Sequence, residues 1–231
     1  MFSQNEKKEG MSRVRRTKAQ AKEYYDKISK WYDLISGKKE KKLSKLGLER
    51  LKIAEGEVVL EIGYGTGRIM KELAELVGSE GRVYGIDISE GMKEKALSGI
   101  DTAKLERIRL ECGDAAKLPY GEELFDSIFI GFTLELFDTP ELPVVLKECE
   151  RVLKKNGKMC VLSMSKRKEN TMVMLYEWSH RIFPKFIDCR PIYTEEIARN
   201  AGFQVIEKTE ENLFGLPVDI IVVKKASFDT P

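Results

Sequence analysis

Val58-Val59-Leu60-Glu61-Ile62-Gly63-Tyr64-Gly65-Thr66-Gly67 carries an apolar run into three alternating glycines, and helical spacing resumes behind it at Ile69 and Met70. The pattern reads as strand, tight loop and helix. Glycine is needed where a backbone turns sharply or meets a ligand without a Cβ in the way, and the helix behind the loop offers unpaired N–H groups. Asp87 lies 20 residues beyond Gly67, at the end of a second apolar run, Val83-Tyr84-Gly85-Ile86. From there a carboxylate reaches the hydroxyls of a ribose. A dinucleotide fingerprint would put its third glycine at position 68, where this chain has Arg68, so a pyrophosphate ligand is disfavoured.

The same alternation continues outward. Apolar positions from Ile69 to Val77 give a helix closed by Gly78, and Arg82 to Asp87 reads as a strand. Ser89 opens a helix to Leu97, Ile108 to Cys112 and Ser127 to Phe132 are strands, and Leu142 to Leu153 is helical. Asn156-Gly157 reads as a turn before a strand from Met159 to Met164. Strand and helix in turn argue for an α/β fold, a mostly parallel sheet with helices on both faces. Ligands on such sheets gather at the carboxyl ends of the strands, where Gly63, Asp87, Asp114 and Phe132 should converge. Further on, Thr171 to Phe183 predicts an amphipathic helix and Thr194 to Asn200 a short one. Strands Phe203 to Ile206 and Val218 to Val223 then close the chain as an antiparallel edge pair.

The length of 231 residues and 42% hydrophobic content suit one domain. Residues 1–16 read as a disordered basic arm and 17–231 as the domain, with 17–52 a helical cap on which Tyr24, Tyr25, Ile28, Trp31 and Tyr32 share one helix face or two adjoining helices. Residues 1–52 hold 16 Lys/Arg against 7 Asp/Glu, although the whole chain carries only +2. This front is either a solvated helix face or an attraction to an anionic surface, lipid headgroups or an acidic substrate. Peripheral membrane contact through it is one expectation. Nucleic acid is not expected, because no base-stacking aromatic pattern accompanies Arg13-Val14-Arg15-Arg16. No run approaches a membrane span and no signal peptide is evident, so the expected location is cytoplasmic. Four cysteines without Cys-x-x-Cys spacing read as free thiols, and a single histidine, His180, argues against a metal site or a histidine triad.

Glu61-x-Gly63-x-Gly65-x-Gly67 with the distal Asp87 resembles the first two motifs of the class I S-adenosylmethionine (SAM)-dependent methyltransferases. Cys112-Gly113-Asp114-Ala115, Phe125 to Phe132, and the stretch from Glu148 to Leu162 resemble the following motifs in order, over roughly residues 20–225. Tyr25-Asp26 and Tyr32-Asp33 ahead of the loop, Leu118-Pro119 and Ala201-Gly202-Phe203 bring the chain nearer to the ubiquinone/menaquinone-biosynthesis C-methyltransferases. Asp188 to Tyr193 and Gly215 to Val218 depart from them. The resemblance implies a Rossmann-like three-layer sandwich and SAM as cofactor. It implies cofactor contacts from Tyr32, Glu61, Gly63, Tyr64, Gly65, Gly67, Asp87, Ile88, Met92, Asp114, Ala115 and Phe132, with Glu61 near the cationic methionine end, Asp87 on the ribose and Asp114 on the adenine amine. The acceptor it implies is a small hydrophobic, quinol-like molecule, with phospholipid N-methylation or SAM sensing without turnover as alternatives. Tyr25, Glu135, Trp178, His180 and Arg190 are candidate acceptor residues, and no catalytic residue is assigned.

Overall fold

The computed structural model describes residues 11–14, 16–29, 38–167, 173–174 and 189–226. Helices α1 (Lys18–Ile28) and α2 (Lys38–Leu51) precede β1 (Val58–Ile62), α3 (Arg68–Leu76), β2 (Arg82–Asp87), α4 (Glu90–Gly99), the short α5 (Thr102–Leu105) and β3 (Ile108–Cys112). Then follow β4 (Phe125–Gly131), a 3₁₀ turn at Leu134–Leu136, α6 (Leu142–Val152), β5 (Leu153–Met164), α7 (Thr194–Asn200), β6 (Phe203–Leu213) and β7 (Leu216–Lys225). The seven strands lie in the order β3-β2-β1-β4-β5-β7-β6. The first five are parallel, and β7 runs antiparallel to both β5 and β6. Strand order reverses between β1 and β4, and a crevice opens beyond their carboxyl ends, as such a switch point requires.

Because successive strand residues face opposite ways, the sheet feeds two cores. Leu60, Ile62, Ile128, Ile130 and Val161 pack with α6 and α7 through Leu142, Leu146, Cys149 and Ala198. Val59, Val83, Phe129, Cys160 and Val222 pack on the other face with α2 and α3 through Leu48, Leu51, Met70 and Leu73. Three layers result. Cys149 and Cys160 are buried, Cys112 and Cys189 are partly exposed, and the four form no disulfide. Among the described residues no helix is long and apolar enough to cross a membrane.

Several expectations change in detail. The Asn156-Gly157 turn falls within the span of β5: Phe125 pairs with Leu153 and Ser127 with Lys158, so residues 154–157 make an excursion without a register partner on β4 and the strand starts earlier than expected. The closing strands are longer than expected, since Glu207 to Asn212 stays paired to β7 with a bulge after Val205. The expected helix from Thr171 to Phe183 falls outside the described residues except for Val173 and Met174, which are helical.

The front of the chain is docked where it is described. Arg13 donates from Nε to Asp138 Oδ1 at 2.8 Å, the Val14 amide donates to the same oxygen at 3.0 Å, and Met11 packs on the core. A bidentate guanidinium–carboxylate contact holds Arg13 to the loop after β4. Thr17 and Gln20 then form a reciprocal capping box that starts α1. Helix α1 lies along α4, where Asp26 accepts from Ser89 Oγ at 2.6 Å and from the Gly91 amide at 3.0 Å.

Candidate active site

The loop between β1 and α3 holds Gly63, Gly65 and Gly67 at φ of 74°, 52° and 76°. A Cβ on Gly63 would lie 2.2 Å from Thr133 Oγ1, so only glycine lets the segment after β4 close against the loop. Two recesses meet at this point. The larger, of about 970 Å³ with its open mouth, has Gly63, Gly65, Asp87, Ile88, Met92, Asp114, Ala115 and Phe132 on its walls. The smaller, of about 580 Å³, is bordered by Glu40, Lys41, Ser44, Glu61, Tyr64 and Arg68, and shares Gly63, Gly65, Gly131 and Phe132 with the first.

Asp87 stands at the end of β2. Its Oδ2 accepts from the Gly65 amide at 2.9 Å and its Oδ1 from the Ser89 amide at 3.0 Å. Burial raises its pKa, the two amides partly offset that, and the nearby Asp26 adds to it. Asp114, after β3, receives the Ala116 amide on Oδ1 at 2.9 Å and Lys18 Nζ on Oδ2. Lys18 also meets Glu141 at 2.7 Å. Burial works against the Lys18 charge, but the two carboxylates hold its pKa above the usual value. Asp114 is therefore shared between the cleft and the N-terminal segment.

Glu61 belongs to the smaller recess. Leu60 and Ile62 face α6, so Glu61 must face the layer of α2 and α3. It is buried, and Oε2 has no hydrogen-bond partner. Burial, then the fields of Asp87 and Glu72, push its pKa well above the carboxylate range. An unpartnered buried carboxylate beside a recess calls for a cation.

Other expected residues are placed differently. The Tyr64 ring turns inward over Gly85 and its hydroxyl donates to the Glu111 carbonyl at 3.2 Å, so it borders only the smaller recess. Gly67 borders neither; it lets the N-terminus of α3 approach Ala96. Glu135 and Arg190 are fully buried behind the cleft wall. Glu135 Oε1 accepts from the Met164 amide at 3.2 Å, and burial raises its pKa to about 8. Arg190 donates to the Phe137 carbonyl at 2.8 Å and is not among the residues that border the cleft. Tyr25 does border the cleft. Tyr32, Trp178 and His180 lie outside the described residues. Sequence reasoning missed Val14, Lys18, Ala21, Thr133, Leu136 and Phe137 on the cleft wall. The last three recur at helical spacing after Phe132, a signal that was available.

Residues 59–157 match the model of a methyltransferase domain. The demethylmenaquinone methyltransferase of Staphylococcus aureus (strain MRSA252) is 31% identical over 204 residues, spanning 87% of this chain and 80% of that protein. The chain belongs to the class I SAM-dependent methyltransferases. Its likeness within them is to the quinone-biosynthesis group: the demethylmenaquinone methyltransferase of Alkalihalophilus pseudofirmus is 34% identical over 70% of each chain. The Lactobacillus johnsonii protein of that name is 34% identical over 71% of this methyltransferase and 65% of its own length. Among solved structures, the fold matches the 1,6-didemethyltoxoflavin-N1-methyltransferase of Burkholderia thailandensis with a TM-score of 0.70, 17% identity and 94% and 95% coverage. A SAM-dependent methyltransferase of Aquifex aeolicus matches with a TM-score of 0.60, 22% identity and 78% and 88% coverage. The sheet order and the antiparallel β7 are those of a Rossmann-like methyltransferase. SAM is the cofactor of this enzyme, and the carboxylates of the two recesses suit its cationic and hydroxyl-bearing parts.

Proposed function

We propose that this methyltransferase methylates a small, hydrophobic, quinol-like acceptor. The supporting observation is the composition of the larger cleft. Past Asp87 and Asp114 its wall includes Val14, Ala21, Tyr25, Leu136 and Phe137, apolar surface that favours a flat, poorly hydrated ring, with Arg16, Lys18, Thr133 and Glu141 as its polar groups. The names of the relatives point to the same class of acceptor.

In this reading Asp87 holds the ribose hydroxyls through the lone pairs that Gly65 and Ser89 leave unused. Asp114 accepts the adenine amine, while Ala115, Ile88 and Met92 leave a flat apolar slot for the ring. Glu61 receives the ammonium of the methionine end in the smaller recess. Phe132, at φ 51°, lies where the two recesses join and is placed to bound the reacting carbon. SAM, when bound, supplies a methyl group already activated on a sulfonium. The chain's own work is then alignment of the acceptor and exclusion of water, which Val14, Arg16 and Lys18 of the N-terminal segment assist from the cleft wall.

Transfer of labelled methyl from SAM to a short-chain, water-soluble demethylmenaquinol, with phosphatidylethanolamine in parallel, tests this. Ring methylation without labelling of the lipid is the expected outcome. SAM binding with no product from either acceptor overturns it.

A further inference from the structure

The rim that carries the cleft also presents an exposed aromatic side chain at some cost in backbone energy. Leu213 pairs with Leu216, so the β6–β7 hairpin turns in two residues, Phe214 and Gly215, with φ of 53° and 90°. Turns with both central residues left-handed favour Asn, Asp or Gly, and a bulky residue there is an outlier. Phe214 gains no core burial in return: it is 63% exposed, with Lys39 Nζ 4.6 Å from the ring centroid. Pairing of Met164 with Val218 puts this turn beyond the carboxyl end of β5, on the side of the cleft. Val173 packs with Leu216 and Met164, so the next residue, Met174, emerges on the same rim, 66% exposed.

Helix α2 adds charge to this apolar pair. Lys39, Lys41, Lys42 and Lys45 are exposed along it, and Lys41 borders the smaller recess. Among nearby acids, Glu72 offsets Lys45 at 3.9 Å and Glu210 pairs with Arg167 at 2.5 Å, so Lys39, Lys41 and Lys42, with the half-buried Glu40 between them, carry the positive charge of this stretch.

We infer that this rim docks on an anionic lipid bilayer, with Phe214 and Met174 entering the headgroup boundary and the α2 lysines meeting the phosphates. Lysine is depleted in protein–protein interfaces, whereas exposed lysines beside isolated apolar side chains are the composition that an anionic bilayer attracts. The lip of the recesses then faces the bilayer, and a lipid-soluble acceptor enters without crossing water. That consequence rests on the acceptor reading above; the docking does not.

Co-sedimentation of the full chain with vesicles of phosphatidylcholine alone, or of phosphatidylcholine with phosphatidylglycerol, tests it. Binding is expected only to the anionic vesicles and should fall with salt. The double variant Lys39→Gln/Lys42→Gln should weaken it by about tenfold or more. Phe214→Asn suits the turn, so the fold is kept, and should weaken it by roughly threefold to tenfold. Both variants should keep wild-type turnover of a water-soluble acceptor. Wild-type protein left in the supernatant with anionic vesicles, or undiminished binding by both variants, overturns the proposal. A self-association that Phe214→Asn abolishes, without vesicle binding, overturns it in favour of a protein contact. Vesicle binding with no turnover of any quinol leaves the docking standing and removes the acceptor reading alone.

Discussion

Replacing Glu61 by Gln should stabilise the SAM-free enzyme while weakening its hold on SAM, because the same side chain is a burden in one state and a partner in the other. In the SAM-free fold Glu61 is 4% exposed, its Oε2 has no hydrogen-bond partner, and Asp87 and Glu72 add unfavourable fields. A neutral amide of the same shape relieves that, which we place at about 1–3 kcal/mol. For a chain of 231 residues this raises the melting temperature by about 2–4 °C per kcal/mol. Against the ammonium of bound SAM the sign reverses. Losing a charge-assisted hydrogen bond in a buried recess costs about 1.5–3 kcal/mol, or roughly ten- to a hundredfold in Kd. The pH dependence follows from the raised pKa. The folded state holds the Glu61 proton more tightly than the unfolded state, so stability falls as pH rises above the usual carboxylate value of 4.5. SAM affinity rises over the same interval, since the cation binds the ionised form. Both slopes should flatten in the variant. Calorimetric titration and thermal melts across a pH series measure the two effects together. Wild-type SAM affinity in the variant, or a lowered SAM-free melting temperature, would refute the assignment of Glu61.

Asp87→Ala should weaken SAM binding by about 1–3 kcal/mol through the lost ribose hydrogen bonds, read by the same titration; unchanged affinity removes Asp87 from the ribose. Glu135 is raised to about 8 by burial, so it lowers stability progressively as pH climbs from 4.5 towards that value. Glu135→Gln should therefore flatten the stability profile over that interval and raise the melting temperature most at alkaline pH. A variant that melts lower than wild type at pH 9 would show that its charge is wanted there, beside Arg190.

What the sequence made legible was local. Strands β2 and β3 and helix α7 have the bounds expected from their apolar runs, because each is a short periodic segment with a cap or glycine at its end. Ser89 caps α4 as expected, its Oγ accepting from the Met92 amide at 3.0 Å. The misses are of two kinds. Asn156-Gly157 lies in an excursion, 154–157, that has no register partner on β4, so the turn was legible and the strand's start at Leu153, on the far side of it, was not. Arg13 and Asp138 are 125 residues apart and Lys18 and Asp114 are 96 apart, and no periodicity announces such pairs. A charge excess over residues 1–52 was visible; the carboxylates it would meet were not.

The two recesses follow from strand parity at a switch point. Along β1, Ile62 and Glu61 must point to opposite layers, so a ligand that touches both sides has to cross the end of the strand itself. Gly63 follows β1 and Gly131 ends β4, and both residues border both recesses. Phe132 follows Gly131 with a left-handed backbone that non-glycine residues rarely adopt, which turns the chain away from the crossing and lets Thr133 close over Gly63. One open saddle therefore joins a recess with a buried, unpartnered carboxylate to a cleft bordered by Asp87 and by apolar side chains. A ligand matched to it needs a cation at one end, hydroxyls and a flat ring at the other, and a narrow waist between. SAM has that shape, and a pyrophosphate compound would bring its negative charge to the waist, between Glu61 and Asp87.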